Sequence, residues 1–153
     1  MSYQGMSKLA EEFAGEPFTV LAFPANQFGS QEPFTNSWIE SFVRGNGTHS
    51  CGLIYCNWKG YFPYPLFAKC NVKPDWCTAD PETACTRGSK DCCSKNDVVW
   101  KWLQSITGDV PKWNFAGKTL FDKCGNPSYH VNDETLDPAK LAPTIRNLLQ
   151  KKC

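Results

Sequence analysis

The sequence predicts a single α/β domain, and three observations carry that expectation. Apolar residues recur at helical spacing in four stretches, apolar runs of strand length lie between them, and a short turn near the C-terminal end joins two strand-like segments. At 153 residues the chain is long enough for one core. The domain expected runs from 1 to 153, with a cysteine-rich insert at about 73–95.

Taken in order, Met6, Leu9, Ala10 and Phe13 fall on one face of a first helix, with Gly15 placed to end it. Residues 18–23, "FTVLAF", are apolar without alternation, as in a strand covered on both faces. Asn36 is placed to cap a second helix carrying Ile39, Phe42 and Val43. "YPLFAKCNV", 64–72, contains a second short strand. Val99, Trp102, Leu103 and Ile106 repeat the helical spacing up to Gly108. Residues 115–122 and 128–131 then form a hairpin around "KCGNP", and Pro143 opens a last helix whose apolar face holds Ile145, Leu148 and Leu149. An antiparallel pair thus closes a helix-covered sandwich.

Composition narrows the function. Hydrophobic residues make up 41% and aromatics 14%, which belongs to a globular chain rather than a disordered one. A formal charge of +1, with acids and bases interspersed, provides no footprint for nucleic acid or an anionic membrane. No apolar run approaches the roughly 20 residues that cross a bilayer. The opening "MSYQGMSKLAEEF" carries Lys8, Glu11 and Glu12 where a signal peptide requires an uninterrupted apolar stretch. A cytoplasmic location is expected, any targeting signal lying upstream of Met1. The sequon at Asn46 would matter only in a secreted protein.

Nine cysteines form an odd set, so complete intramolecular pairing is impossible. Five of them, Cys70, Cys77, Cys85, Cys92 and Cys93, lie within "CNVKPDWCTADPETACTRGSKDCC". No CxxC pair occurs and both histidines, His49 and His130, lie outside that segment. A zinc site wants thiolates two to four residues apart, so a disulfide-stapled or variable loop is expected and no metal. The histidines read as surface or packing residues.

The chemistry-bearing stretch is "FPANQFGSQEP", 23–33. It places Asn26, Gln27, Gly29 and Gln31 where the first strand ends. Amides donate and accept hydrogen bonds but neither titrate nor attack. Together with "PLFAKCNV" and "KWNFAGKTLFDKCGNP" it resembles the glutathione peroxidase family, whose signatures are an FPCNQFG-QEP segment and a WNF-KFLVD-NG segment. The resemblance runs from about residue 6 to the C-terminus and departs mainly in the insert and in the loop 44–62.

That resemblance implies a thioredoxin-like fold, a mixed sheet flanked by helices, here N-terminally incomplete. It implies a peroxidase in which a selenocysteine or cysteine attacks the peroxide O–O bond and thiols, from glutathione or thioredoxin, restore it. Hydrogen peroxide and organic hydroperoxides are the implied substrates, with no cofactor beyond the reducing co-substrate. The residues carried over as catalytic are Gln31, Trp113 and Asn114. Their chemistry fits: hydrogen bonds to a thiolate or selenolate favour the charged form, and neutral donors supply them without a competing charge. Asn26, Gln27 and Gly29 read instead as shaping the turn.

The same resemblance places the nucleophile a few residues before Met1. One expectation is a selenocysteine codon read as a stop, with Met1 the next start. The cysteine of FPCNQFG is Ala25 here. Without the strand that precedes the first helix, the segments 18–23 and 115–122 are expected to keep unpaired inner edges, so that the chain folds poorly alone or rearranges its pairing. Two alternatives accompany the peroxidase reading. In one, Cys51, Cys56 or Cys70 serves as the peroxidatic or resolving thiol, Cys51 and Cys56 being the candidates for the resolving role. In the other, the chain is a non-catalytic redox-responsive or interaction module.

Overall fold

The computed structural model describes residues 2–45, 58, 60–73 and 98–153. Helix α1 covers Ser2–Glu12, so it starts four residues before the apolar repeat that marks it. Met6 and Leu9 are buried, as is Phe13 just past its end, and Gly15 stops the chain at φ +84°. Gly5 is required for another reason. A Cβ there would lie 2.0 Å from Asp137 Oδ1 and 2.8 Å from Pro138 Cδ, so only glycine lets α1 rest on the 3-10 turn Pro138–Leu141. An ion pair of 2.6 Å between Arg146 and Glu12 joins the same helix to the C-terminal one.

Helix α2 is Asn36–Val43, capped by Thr35 rather than by Asn36 as expected. Thr35 Oγ1 accepts from the Trp38 N–H at 3.2 Å. Asn36 is occupied elsewhere, its Oδ1 accepting from the Lys69 N–H at 2.8 Å. Ile39, Phe42 and Val43 pack with Met6, Phe62 and Tyr64 into one core cluster. A second cluster joins Leu9 and Phe13 to Leu141, Ala142 and Ile145. The faces of α1 therefore serve two cores, which makes that helix the centre of the packing.

The two strands expected at 18–23 and 64–72 are not formed as strands. Between them stands one isolated parallel bridge, Ala22 to Leu66, extended by the Cys70 N–H donating to the Pro24 carbonyl at 3.0 Å. The physical reason is the lack of pairing: Thr19, Val20, Leu21 and Phe23 have no backbone hydrogen bond among the described residues. A segment paired at a single point does not make a ladder.

Helix α3, Val98–Thr107, has no buried residue, and Trp102 and Ile106 of its apolar repeat are exposed. The hairpin follows as expected. Strand β1, Gly117–Phe121, pairs antiparallel with β2, Pro127–Asn132, with an irregularity between Leu120 and Phe121. In the turn, Asp122 Oδ1 accepts from the N–H groups of Cys124 and Asn126 at 3.0 and 2.9 Å. The last helix, α4, is Ala142–Gln150 with a proline in its first turn. Helices and a small antiparallel sheet of this kind are consistent with a thioredoxin-like α/β fold.

A disulfide between Cys124 and Cys153 clips the hairpin turn to the chain beyond α4, across a separation of 29 residues. Closing a loop of that size restricts the unfolded chain, so replacing both cysteines by serine is expected to lower stability by about 2–4 kcal/mol. Chemical denaturation of the double variant under non-reducing conditions reads this directly, and an unchanged midpoint would refute it.

Between the bridge and the hairpin lies an open cleft of about 630 Å³. Residues 17–25 and 117–123 line it without a gap in either run, joined by Tyr3, Met6 and Leu9 of α1. Among the described residues β1 pairs only with β2, and no described segment pairs with 18–23 from the side of the cleft.

Candidate active site

At one end of this cleft the structure brings together the three residues carried over by resemblance. Asn114 Nδ2 donates to Gln31 Oε1 at 2.7 Å, although 83 positions separate them. Trp113 is close to both: a Cβ built on Gly29 would lie 3.5 Å from Gln31 Cγ and 3.5 Å from Trp113 Cη2. The Trp113 ring also meets Phe28, with centroids 6.0 Å apart. Its indole is partly open to solvent, and the indole N–H donates no hydrogen bond among the described residues. All three residues line the cleft.

Unusual backbone flanks both partners of the Gln31–Asn114 bond. Ser30, before Gln31, has φ +52°, and Phe115, after Asn114, has φ +59°. Left-handed conformation costs a non-glycine residue roughly 1–2 kcal/mol, so the surroundings must hold it. At Phe115 they do so through Lys118, whose Nζ donates to the Phe115 carbonyl at 2.5 Å and to the Asp133 carbonyl at 2.7 Å. The Phe115 ring packs edge-on against Tyr3 at 5.3 Å. Both partners of the bond are thus flanked by backbone that the surroundings must hold in place.

The other amides of the stretch do different work. Gln27, 1% exposed, accepts at Oε1 from the N–H groups of Val72 and Lys73 at 2.6 and 2.8 Å, and donates from Nε2 to the Lys73 carbonyl at 3.0 Å. Asn26 Oδ1 accepts from the Glu32 N–H at 2.9 Å. Asn26 thus shapes the turn, Gln27 ties it to the segment at 72–73, and Gln31 bonds to Asn114. Gly29 at φ +63° permits the reversal that separates them.

Two charged residues beside this site were not singled out by the sequence reading, Lys69 and Glu32. Lys69 is 5% exposed and packs under the turn. Glu32 lines the cleft next to Gln31. Burial pushes the Glu32 carboxyl up to about 7, against an opposing pull from the nearby Lys69 charge. The signal available in sequence is a lone lysine inside the apolar run "PLFAKCNV", where an unpaired charge is costly.

The raised pKa has a direct consequence for stability. In the unfolded chain the carboxyl titrates near 4.5, so between there and about 7 the folded state binds the proton more tightly. Stability contributed by the neutral form is fully present below 4.5 and is lost as pH rises through 7. The loss amounts to as much as about 3 kcal/mol. Urea unfolding at pH 5 and pH 8 is expected to show that slope in the native sequence and a flatter one in Glu32→Gln. Equal slopes in the two proteins would contradict it.

His130 is a packing residue: its ring bridges Thr119 Oγ1 at 2.9 Å and Asp109 Oδ2 at 3.4 Å, tying the loop before Trp113 to the hairpin. No group of three or more His, Cys, Asp or Glu suited to a metal ion occurs among the described residues. None of the described helices is long and apolar enough to cross a membrane. The candidate resolving residues Cys51 and Cys56, together with His49, the sequon and the insert cysteines 77, 85, 92 and 93, lie outside the described residues.

Comparison with known proteins points the same way as the geometry. The family model for glutathione peroxidase matches residues 1–74. "Probable phospholipid hydroperoxide glutathione peroxidase 6, mitochondrial" of Arabidopsis thaliana is 35% identical over 155 residues, covering 97% of this chain and 51% of that protein. "Probable glutathione peroxidase 8-B" of Xenopus laevis is 29% identical, covering 99% of this chain and 58% of its own length. "Probable phospholipid hydroperoxide glutathione peroxidase" of Citrus sinensis is 31% identical over 149 residues, 97% of this chain and 71% of that protein. The chain thus spans little more than half the length of the first two of these relatives. A relative above 30% identity over nearly the whole chain, matched through the segments that build the cleft, leads to one conclusion: this chain belongs to the glutathione peroxidase family.

Proposed function

We propose that the chain carries the donor shell of a thiol-dependent peroxidase, with Gln31, Trp113 and Asn114 serving a thiolate or selenolate at the end of the cleft. The observation that supports this most is the 2.7 Å bond from Asn114 to Gln31, with the Trp113 indole N–H left available beside it. In the reaction proposed, the chalcogen anion attacks one peroxide oxygen, the O–O bond breaks, and the departing hydroxide or alkoxide takes a proton. The oxidised chalcogen is then reduced by two thiols, which leave as a disulfide with water. Neutral donors help twice: they favour the anionic nucleophile, and they stabilise charge developing on the leaving oxygen.

Glutathione and thioredoxin are the two reductants proposed, and hydrogen peroxide and organic hydroperoxides the two substrate classes. The test is peroxide-dependent NADPH oxidation by the protein, coupled through glutathione reductase in one arm and thioredoxin reductase in the other. Turnover in either arm supports the reading and names the reductant. No turnover in both, with a folded protein, would overturn it in favour of a non-catalytic redox-responsive module.

A further inference from the structure

Lys69 raises a question that the peroxidase reading leaves unanswered: why a cation is held 5% exposed beneath the turn that carries Gln31. Its Nζ donates to the Phe34 carbonyl at 2.5 Å and to the Glu32 carbonyl at 3.2 Å. Its backbone N–H donates to Asn36 Oδ1 at 2.8 Å. One residue thereby ties three positions of the segment that follows Gln31. On the same side, the Asn26 side chain holds the Glu32 N–H, so residue 32 is secured at both its N–H and its carbonyl.

Few side chains could do this. The two carbonyls belong to different peptide units, and the group between them must offer at least two donors from one atom at the end of a long stem. An ammonium has three donors and no acceptor, and its charge shortens and strengthens such bonds. Remove it and two carbonyls under the turn lose a partner, which a partly buried acceptor tolerates poorly. The Glu32 carboxyl lies close enough for the Lys69 charge to pull against its upward shift.

We propose that Lys69 is a positioning residue: its buried ammonium clamps the carbonyls of Glu32 and Phe34 and thereby sets the Gln31 side chain against Asn114. The catalytic meaning of this clamp rests on the proposed role of Gln31 and Asn114. Its geometric content does not. Ser30 in the left-handed region makes the turn a conformation that needs an external hold, and Lys69 provides it from a segment that is itself anchored through the Gln27 bonds to Val72 and Lys73.

The test follows the Asn114 side-chain amide by nitrogen-edited NMR in the 153-residue chain. Lys69→Met keeps the stem and removes the donors; Ile145→Ala, from the second core cluster, which includes no residue of the turn, serves as a destabilised control. The expected result is that Lys69→Met moves the Asn114 Nδ2 resonances toward free-amide values and raises the exchange rate of these protons at least tenfold, while the control leaves both unchanged. Lys69→Gln carries a neutral amide on a stem one carbon shorter and is the variant to use if Lys69→Met does not fold. It cannot reach both carbonyls with a charged donor, so a smaller displacement of the same resonances is expected. Lys69→Arg is expected to leave them nearly unchanged, because one guanidinium nitrogen can serve two carbonyls, as Arg44 Nη1 does for Phe62 and Tyr64. Unchanged Asn114 resonances in a folded Lys69→Met or Lys69→Gln chain would overturn the clamp. The outcome is separate from that of the peroxidase reading: shifted resonances alongside an inactive protein would uphold the clamp and reject the site.

Discussion

On the proposed role, Asn114→Ala is expected to lower the peroxide-dependent rate by about 10²–10³, the loss typical when one donor to a developing anion is removed. The reason lies in the pairing. Asn114 Nδ2 is bonded to Gln31 Oε1 at 2.7 Å, so truncation removes a donor and also releases the amide that it orients. Two members of the shell are disturbed by one substitution. Gln31→Ala is expected to cost nearly as much, and the double variant little more than either single one, because residues that act as a unit are not additive. Stopped-flow oxidation of the enzyme by peroxide, separated from its reduction by thiol, measures this. A fall confined to the reductive step would place Asn114 in reductant binding and contradict the role given to it.

The second large effect concerns the core on which the site stands. Phe62→Ala is expected to destabilise the chain by about 3–5 kcal/mol. That is a heavy loss for a domain whose total stability is of the order of 5–15 kcal/mol. Phe62 is fully buried and its ring lies 5.6 Å from that of Tyr64 and 6.2 Å from that of Tyr3. Its backbone is bound as well: the N–H donates to the Val43 carbonyl at 2.8 Å, and the carbonyl accepts from Arg44 Nη1. The neighbouring Tyr61 is 58% exposed with the Arg44 guanidinium over its ring, so Tyr61→Ala is expected to cost no more than about 1 kcal/mol. Equal denaturation midpoints for the two variants would show that the cluster of α1 and α2 is not the core described above.

Much of this molecule is readable in one dimension because the relevant signals are local. The face of α1, the spacing in α3, the proline that opens α4 and the turn of the hairpin each depend on residues within a few positions of one another. The strands at 18–23 and 64–72 failed for the opposite reason. Their composition is right, but a strand exists only through a neighbour, and a single bridge at Ala22 and Leu66 is what the described residues provide. The cap of α2 was misread by one position because Thr35 and Asn36 are both good caps, and the choice between them depends on Lys69, 33 residues away.

The site divides along the same line. By itself the sequence determined which residue types stand near the cleft: "FPANQFGSQEP" and "KWNF" hold the amides and the indole, and their resemblance to a known family named Gln31, Trp113 and Asn114 together. Only the tertiary structure decided which amide faces which way. Asn26 and Gln27 bond to the backbone of Glu32, Val72 and Lys73, whereas Gln31 bonds to Asn114, and no local pattern distinguishes three amides in one short loop. Only the fold, likewise, put an ammonium beneath two carbonyls of that loop. The physical reason is that orientation and burial are set by partners distant in sequence, and a hydrogen bond between residues 83 apart leaves no mark on the neighbours of either.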